Sequence, residues 1–374
     1  MNHINVNDIN IVVVKVGTTL VSSSKEFLDK EKMKPIVGDI ADLVENGVKV
    51  ILVSSGAIGA GMAVLGLKTR PKLLPQKQAA AAIGQSKLMH FYKDLFNEHE
   101  LRVAQILLTK DDLDDRTRYL NARNTISTLL QYKNIVPIIN ENDTVAVNEI
   151  KFGDNDTLAA VVAAKMQADL LIILSNIDGF FDCDPRKSAV PKLIEEVTNI
   201  SDDLKKMCGA PSGETSVGGM ASKLEAARIA TLSGIAMILA NGERLHALRE
   251  IFSGAGKRTY FHPRREAITG RKRWIAFGSA PHGRITIDQG AKHALIENGK
   301  SLLPSGVVAV TGKFEPGDTV SIVDEQNTEI ARGLVNYSTS EVMKIRGAHT
   351  KKIAELLGYK DYDEVVHRNN LVLL

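Results

Sequence analysis

Cysteine is scarce, with Cys183 and Cys208 alone in 374 residues. Neither has a His or Cys partner at metal-binding spacing, so no disulfide framework and no zinc site is supported, and both read as reduced, incidental thiols. Long hydrophobic runs are missing too. Stretches such as Ile11 to Val14 and Leu170 to Leu174 fall far short of the roughly 18 residues a membrane helix needs. The opening MNHINVNDIN lacks a basic region leading into an apolar stretch, so the chain reads as unanchored and cytoplasmic, without a membrane partner. There is little excess charge of either sign: 47 Lys+Arg face 44 Asp+Glu, a net of +3, which is too small to demand a polyanionic partner for the whole surface. With 44% apolar and 24% charged residues, neither disorder nor a fibrous structure fits. Finally, no G-x-S-x-G elbow occurs, and none of the nine histidines sits in an H-E-x-x-H pair.

What is present is a regular alternation. At about 150 residues per domain, the length predicts two to three domains. INIVVVKV is followed by a helical pattern over Lys25 to Asn46, then VKVILVSSGA and helical patterns up to His99. LRVAQILLT, a helix near Tyr119 to Tyr132, NIVPIIN, an Ala-rich helix from Asp156 to Ala168 and DLLIILSN continue it, before a helix from Met220 to Ser233 and IAMILAN. Runs apolar at every position indicate strands covered on both faces, as in a parallel sheet wrapped by helices. The predicted class is therefore α/β, a doubly wound, mainly parallel open sheet over residues 1–262. Residues 263–282 include the basic, Gly/Pro-punctuated PRREAITGRKRW and read as a linker, a solvated one or a phosphate-binding strip. Over 283–374, GRITID, GVVAVTG, DTVSIV and EIARGLVNY predict a small, mostly-β domain.

In open α/β sheets ligands sit beyond the carboxyl ends of the strands, so polar residues where apolar runs stop are the candidates for chemistry. Lys15 interrupts the first run just before Gly17, to meet a phosphate or merely to reach solvent. Ser54, Ser55 and Gly56 offer hydroxyls and open backbone N–H groups at a helix start, an anion site or an ordinary cap. NEND at 140–143 and GDND at 153–156 are dense in donors and acceptors; a helix cap needs one residue, not three in a row. SVGGMASK puts Gly218 and Gly219 before a helix and Lys223 in its first turn, without the GK[ST] ending of a Walker A loop. Two lysines far apart in sequence and a glycine-rich helix start suit phosphoryl transfer, which rests on positioning and charge neutralisation.

In this order, VVVKVGTT, VSSGAIGAG, QAAAAIGQSKL, LLTKDDLDDRTRYLNARNT, IVPIINENDTVA, FGDNDTLAA, DPR, GGMASKLEAA, RKRWIAFGSAPHGRITID and SLLPSGV resemble the glutamate 5-kinases of the amino-acid kinase family, which carry a C-terminal PUA domain. The resemblance implies ATP-dependent phosphorylation of the side-chain carboxylate of L-glutamate to L-glutamyl 5-phosphate, the first step of proline biosynthesis. By motif, it implies Lys15, Asp156 and Lys223 as catalytic residues, with Asp156 and Asp154 holding the ammonium groups. Ser55, Gly56, Asn140, Asp143 and Asn155 would bind glutamate, with Asp154 grouped among them. Asp143 suits a free α-ammonium and disfavours an N-acylated substrate. Lys15, Ser175, Asn176, Val217, Gly218, Gly219, Met220, Ala221, Ser222 and Lys223 would face ATP. Ser175, Asn176 and Val217 depart from the family's usual Thr-Asp and Thr, which bears on nucleotide preference.

Mg2+ is implied with ATP, held through phosphate oxygens and water and assigned no protein ligand. Proline as feedback inhibitor, a homo-oligomer and a glutamyl phosphate reductase partner are implied as well. The alternatives are another member of the amino-acid kinase family, or an RNA-binding protein acting through the PUA domain.

Overall fold

Strand β1 (Ile11–Val16) reads IVVVKV, and its β-branched residues, which favour an extended backbone, are buried on both faces. Running parallel with it are β2 (Lys49–Ser54), β3 (Arg102–Leu108), β4 (Ile135–Glu141) and β5 (Leu170–Ser175). After the two-residue strands β6 (Phe180–Phe181), β7 (Leu193–Ile194) and β8 (Glu196–Val197), β9 (Ala236–Asn241) joins the same parallel set, and β10 (Arg258–Phe261) turns back antiparallel to it. The sheet order is β3-β4-β2-β1-β5-β9-β10-β8, and β6 pairs with β7 apart from it. The structure is a computed structural model that describes residues 5–22, 27–146, 155–183, 191–201, 204, 219–264, 272, 275–276 and 280–374.

Among these residues the helices that precede β10 are α1 (Thr18–Val21), α2 (Lys30–Glu45), α3 (Ala57–Val64), α4 (Leu74–Asn97), α5 (Lys110–Asp114), α6 (Arg116–Leu129), α7 (Asn155–Met166), α8 (Met220–Leu232) and α9 (Ala247–Phe252). Helix α2 starts where Asp29 accepts the backbone N–H groups of Glu31 and Lys32, which otherwise lack helical partners. Helix α7 is buried along its length, and its alanines let it lie close on β1, β2, β4 and β5 and against α8. Helices α3 and α4 touch through their backbones. A Cβ on Gly61 would overlap the Ala80 carbonyl, and one on Gly84 would overlap the Ala57 carbonyl.

The sheet also defines where a ligand belongs. Strand β1 connects onward to β2 on one side, while its other neighbour β5 leads to strands on the far side. Adjacent strands whose connections diverge leave a crevice at their carboxyl ends. One expectation is corrected: coverage on both faces holds for β1 and β5 but not for β3, an edge strand with Arg102 and Gln105 exposed.

The chain divides into two compact units, residues 1–113 with 117–267, and residues 268–374 with 114–116. The second holds β11 (Gly283–Ile287), β12 (Val307–Gly312), β13 (Thr319–Val323), β14 (Glu329–Val335) and β15 (Val366–Leu373) in the order β12-β11-β13-β14-β15, antiparallel except between β11 and β13. Helices α10 (Gln289–Ile296), α11 (Thr339–Ile345) and α12 (Ile353–Leu357) accompany the sheet, and Ile285, Ile322, Tyr337, Ile345 and Val366 lie in its core. No helix among the described residues is long and apolar enough to cross a membrane. Cys208 and most of the basic strip, 265–271 with 273–274, lie outside the described residues.

Candidate active site

Asp156, in the first turn of α7, has no solvent exposure and receives two ammonium groups. Lys15 Nζ lies 2.5 Å from its Oδ1 and Lys223 Nζ 3.0 Å from its Oδ2. Lys15 comes from the last turn of the pleat in β1 and Lys223 from the first turn of α8, so the packing of α7 on both elements builds the cluster. Both lysines are buried, at 4% and 6% exposure. Lys15 has Asp156 as its one charged partner among the described residues, which leaves N–H donors of its ammonium group for a further acceptor. Ser222 Oγ donates to the Gly219 carbonyl at 2.8 Å and lies 3.3 Å from Asp156 Oδ2.

One residue before Asp156, a network of amides begins. Asn155 Nδ2 is directed at Ser55 Oγ at 2.8 Å, Asn140 Oδ1 at 3.0 Å and the Ser54 carbonyl at 3.1 Å. Asn140, at the carboxyl end of β4, accepts the Glu141 N–H at 2.9 Å through Oδ1 and donates from Nδ2 to Gln85 Oε1 at 2.9 Å. Ser54 Oγ lies 2.7 Å from Tyr92 Oη, and burial pushes the Tyr92 hydroxyl well above its ordinary pKa, so it acts as a neutral partner. Gly56 follows with φ +116°, a left-handed conformation that a side chain would strain, and so turns the chain from β2 into α3. Asp143 is half-buried in the turn after β4, where its N–H donates to the Glu141 carbonyl at 2.9 Å.

The structure thus brings Lys15, Asp156, Lys223 and Ser222 together, and joins Ser55, Asn140 and Asn155 through side-chain hydrogen bonds. Ser175 ends β5, beside β1, and its hydroxyl lies 3.4 Å from the side-chain oxygen of the next residue, Asn176. Gly219, Met220 and Ala221 form the start of α8. Asp154, Val217 and Gly218 lie outside the described residues. Sequence reasoning missed Gln85 and Tyr92. Both stand on the buried stripe of α4 with Ala81 and Leu88, at helical spacing, and a glutamine on such a stripe is the signal that marks it.

An open, mainly parallel sheet with two lysines meeting a buried carboxylate near its switch point defines the class as an open-sheet α/β protein. Residues 10–241 match the amino acid kinase family, and residues 283–357 match the PUA domain. The chain belongs to the amino acid kinase family and carries a separate, mostly-β PUA domain. Among curated relatives, the glutamate 5-kinase of a Thermoanaerobacter species is 52% identical over 363 residues, 97% of this chain and 97% of its own. That of Caldanaerobacter subterraneus subsp. tengcongensis is likewise 52% identical over 97% of both chains. Among solved structures, carbamate kinase from Giardia lamblia bound to AMP-PNP matches with a TM-score of 0.48 at 17% identity, over 68% of this chain and 99% of that one.

Proposed function

We propose that the chain is an ATP-dependent glutamate 5-kinase that converts L-glutamate to L-glutamyl 5-phosphate, the first step of proline biosynthesis. The observation that carries this reading is the Lys15–Asp156–Lys223 cluster lying one residue from the Asn155 amide network. Relatives named glutamate 5-kinase, alike over nearly the whole chain, support the choice of substrate. They do not favour an RNA-binding protein or another acceptor as the primary reading.

In the reaction a side-chain carboxylate oxygen bonds to the γ-phosphorus while the bond from that phosphorus to the β,γ-bridging oxygen breaks, its electron pair leaving on ADP. The nucleophile is already an anion at neutral pH, so no proton has to move and no general base is required. The difficulty is electrostatic, because an anion must approach an anion. Lys15 answers it by donating to the transferred phosphoryl group, and Lys223 by bridging the β- and γ-phosphates. Asp156 holds both ammonium groups in place, and Ser222 adds a hydroxyl beside the same carboxylate oxygen.

Glutamate is held by Ser55, Asn140, Asn155, Asp143 and the backbone at Gly56, with Asp143 pairing with its α-ammonium. Ser175, Asn176 and the segment from Val217 to Ala221 take the nucleotide. Among the described residues no three His, Cys, Asp or Glu side chains converge into a metal cage, and Asp156 is engaged by two lysines. Mg2+ arriving with ATP would supply neutralisation of the phosphate charge, while Asp156 serves the two ammonium groups.

The same reading assigns residues 1–262 to the kinase, 263–282 to a linker and 283–374 to the PUA domain, in a cytoplasmic homo-oligomer inhibited by proline and supplying a glutamyl phosphate reductase. An ATP-dependent hydroxamate assay across glutamate, acetylglutamate, aspartate and bicarbonate with ammonia tests it. Glutamate alone is expected to give product, and product from another acceptor with none from glutamate would replace the assignment.

A further inference from the structure

Two buried amide atoms in the network have no hydrogen-bond partner, Nε2 of Gln85 and Oδ1 of Asn155. Their chemical identities are fixed by the main chain. The Glu141 N–H can only donate, so the atom of Asn140 facing it is Oδ1, and the opposite atom, Nδ2, is the one that meets Gln85. Gln85 must then present Oε1 to Asn140 and keep Nε2 for something else. By the same logic the Ser54 carbonyl can only accept, so Asn155 turns Nδ2 towards it and keeps Oδ1. The network therefore ends in one unused donor and one unused acceptor.

Leaving a buried amide donor unsatisfied is costly, and such groups are rare unless a ligand or water completes them. Gln85 is only 9% exposed, and the backbone contact between Gly84 and Ala57 holds its stretch of α4 against the start of α3, next to Ser55 and Gly56. A free donor and a free acceptor in one network match the carboxylate and the ammonium of a zwitterionic amino acid.

We infer that Gln85 is a substrate-binding residue, whose Nε2 donates to a carboxylate oxygen of the amino-acid substrate while its Oε1 fixes the orientation of Asn140. This rests on the glutamate-kinase reading. Neighbouring strands lie about 4.8 Å apart, so β4, two places from β1 in the sheet, is displaced about 10 Å from the Lys15 strand. With the side-chain carboxylate at Lys15, the Asn140–Gln85 end of the network is the place for the α-carboxylate.

Steady-state kinetics of Gln85→Glu separates the two tasks, because the introduced carboxylate still accepts from Asn140 but no longer offers the donor. The glutamate KM is expected to rise about 10- to 100-fold, the effect of losing one hydrogen bond to a charged group, with the ATP KM within about twofold of the parent. If a buried carboxylate prevents folding, Gln85→Met, which removes both amide atoms at similar size, is read in the same way. An unchanged glutamate KM in a folded variant overturns the inference. So does a parallel fall in kcat with equal rises in both KM values, which marks a purely structural glutamine. A parent enzyme that makes no glutamyl hydroxamate would instead defeat the underlying functional reading, before any variant is compared.

Discussion

Lys15 and Lys223 grip opposite oxygens of the same buried carboxylate, that of Asp156, although one comes from the central strand and the other from a helix formed much later in the chain. The bridging carboxylate sets the spacing of the two cations. Without it, two like charges would face each other in a buried site.

Replacing Lys223 with Ala is expected to lower turnover on the order of a hundredfold or more, as the loss of a preorganised charge aimed at transition-state oxygens does. The fold should survive, because Asp156 keeps Lys15. Asp156→Ala is the contrasting case. It strands two buried ammonium groups and should cost about 3–5 kcal/mol of stability. Thermal melts beside initial rates distinguish the two, and near-normal turnover in folded Lys223→Ala would take that lysine out of the reaction.

Asp143→Asn is expected to raise the glutamate KM far more than the ATP KM, because the proposed assignment gives Asp143 to the substrate's ammonium group. Proline shares that group and should inhibit competitively with glutamate, weakening in step in the same variant. One kinetic matrix with and without proline reads all three constants. Inhibition that glutamate fails to relieve would require a separate regulatory site.

Gly84→Ala should destabilise the first unit by at least about 1–3 kcal/mol, the usual cost of overpacking, since the obstacle is the Ala57 carbonyl and not a flexible side chain. Urea midpoints measure this. A midpoint equal to the parent's would mean that α3 and α4 can separate without loss.

Truncation near Gly278 should leave a soluble kinase, because every residue assigned to chemistry precedes that point. Changes in proline inhibition or in sedimentation would give the PUA domain a role in regulation or assembly. A well-folded but inactive fragment, with Lys15 and Lys223 in place, would place part of the active site in the removed segment.

Strand positions were legible where side-chain chemistry is strongly one-sided. IVVVKV and LLIILS can scarcely be anything but buried strands, and the lysine inside the former was a candidate whose two readings, phosphate or solvent, the strand pattern left open. The four-residue β10 and the polar-centred VHRNNLVL of β15 carry no such pattern and emerge only through pairing with neighbours. The edge character of β3 depends on sheet order, which local sequence does not encode. At the site, Lys15 and Lys223 were legible as candidate phosphate cations and Asp156 took its role from the resemblance, but their meeting point depends on how α7 packs against α8. Gln85 escaped because a glutamine in an alanine-rich helix looks like surface until its neighbours on the stripe are seen to be buried.

The central place of β1 in the sheet has a consequence in time. The ribosome delivers Lys15 before β2, and β5, the other neighbour of β1, only after β3 and β4 have been made. Pairings between such distant segments form slowly. Asp156 arrives just before β5, and Lys223 later still. Before Asp156 arrives, a nascent chain carries Lys15 with neither its carboxylate nor its partner cation, and it cannot transfer phosphate until the sheet closes around β1. Chains that stop before α8 delivers Lys223 therefore add load to folding quality control but no stray kinase.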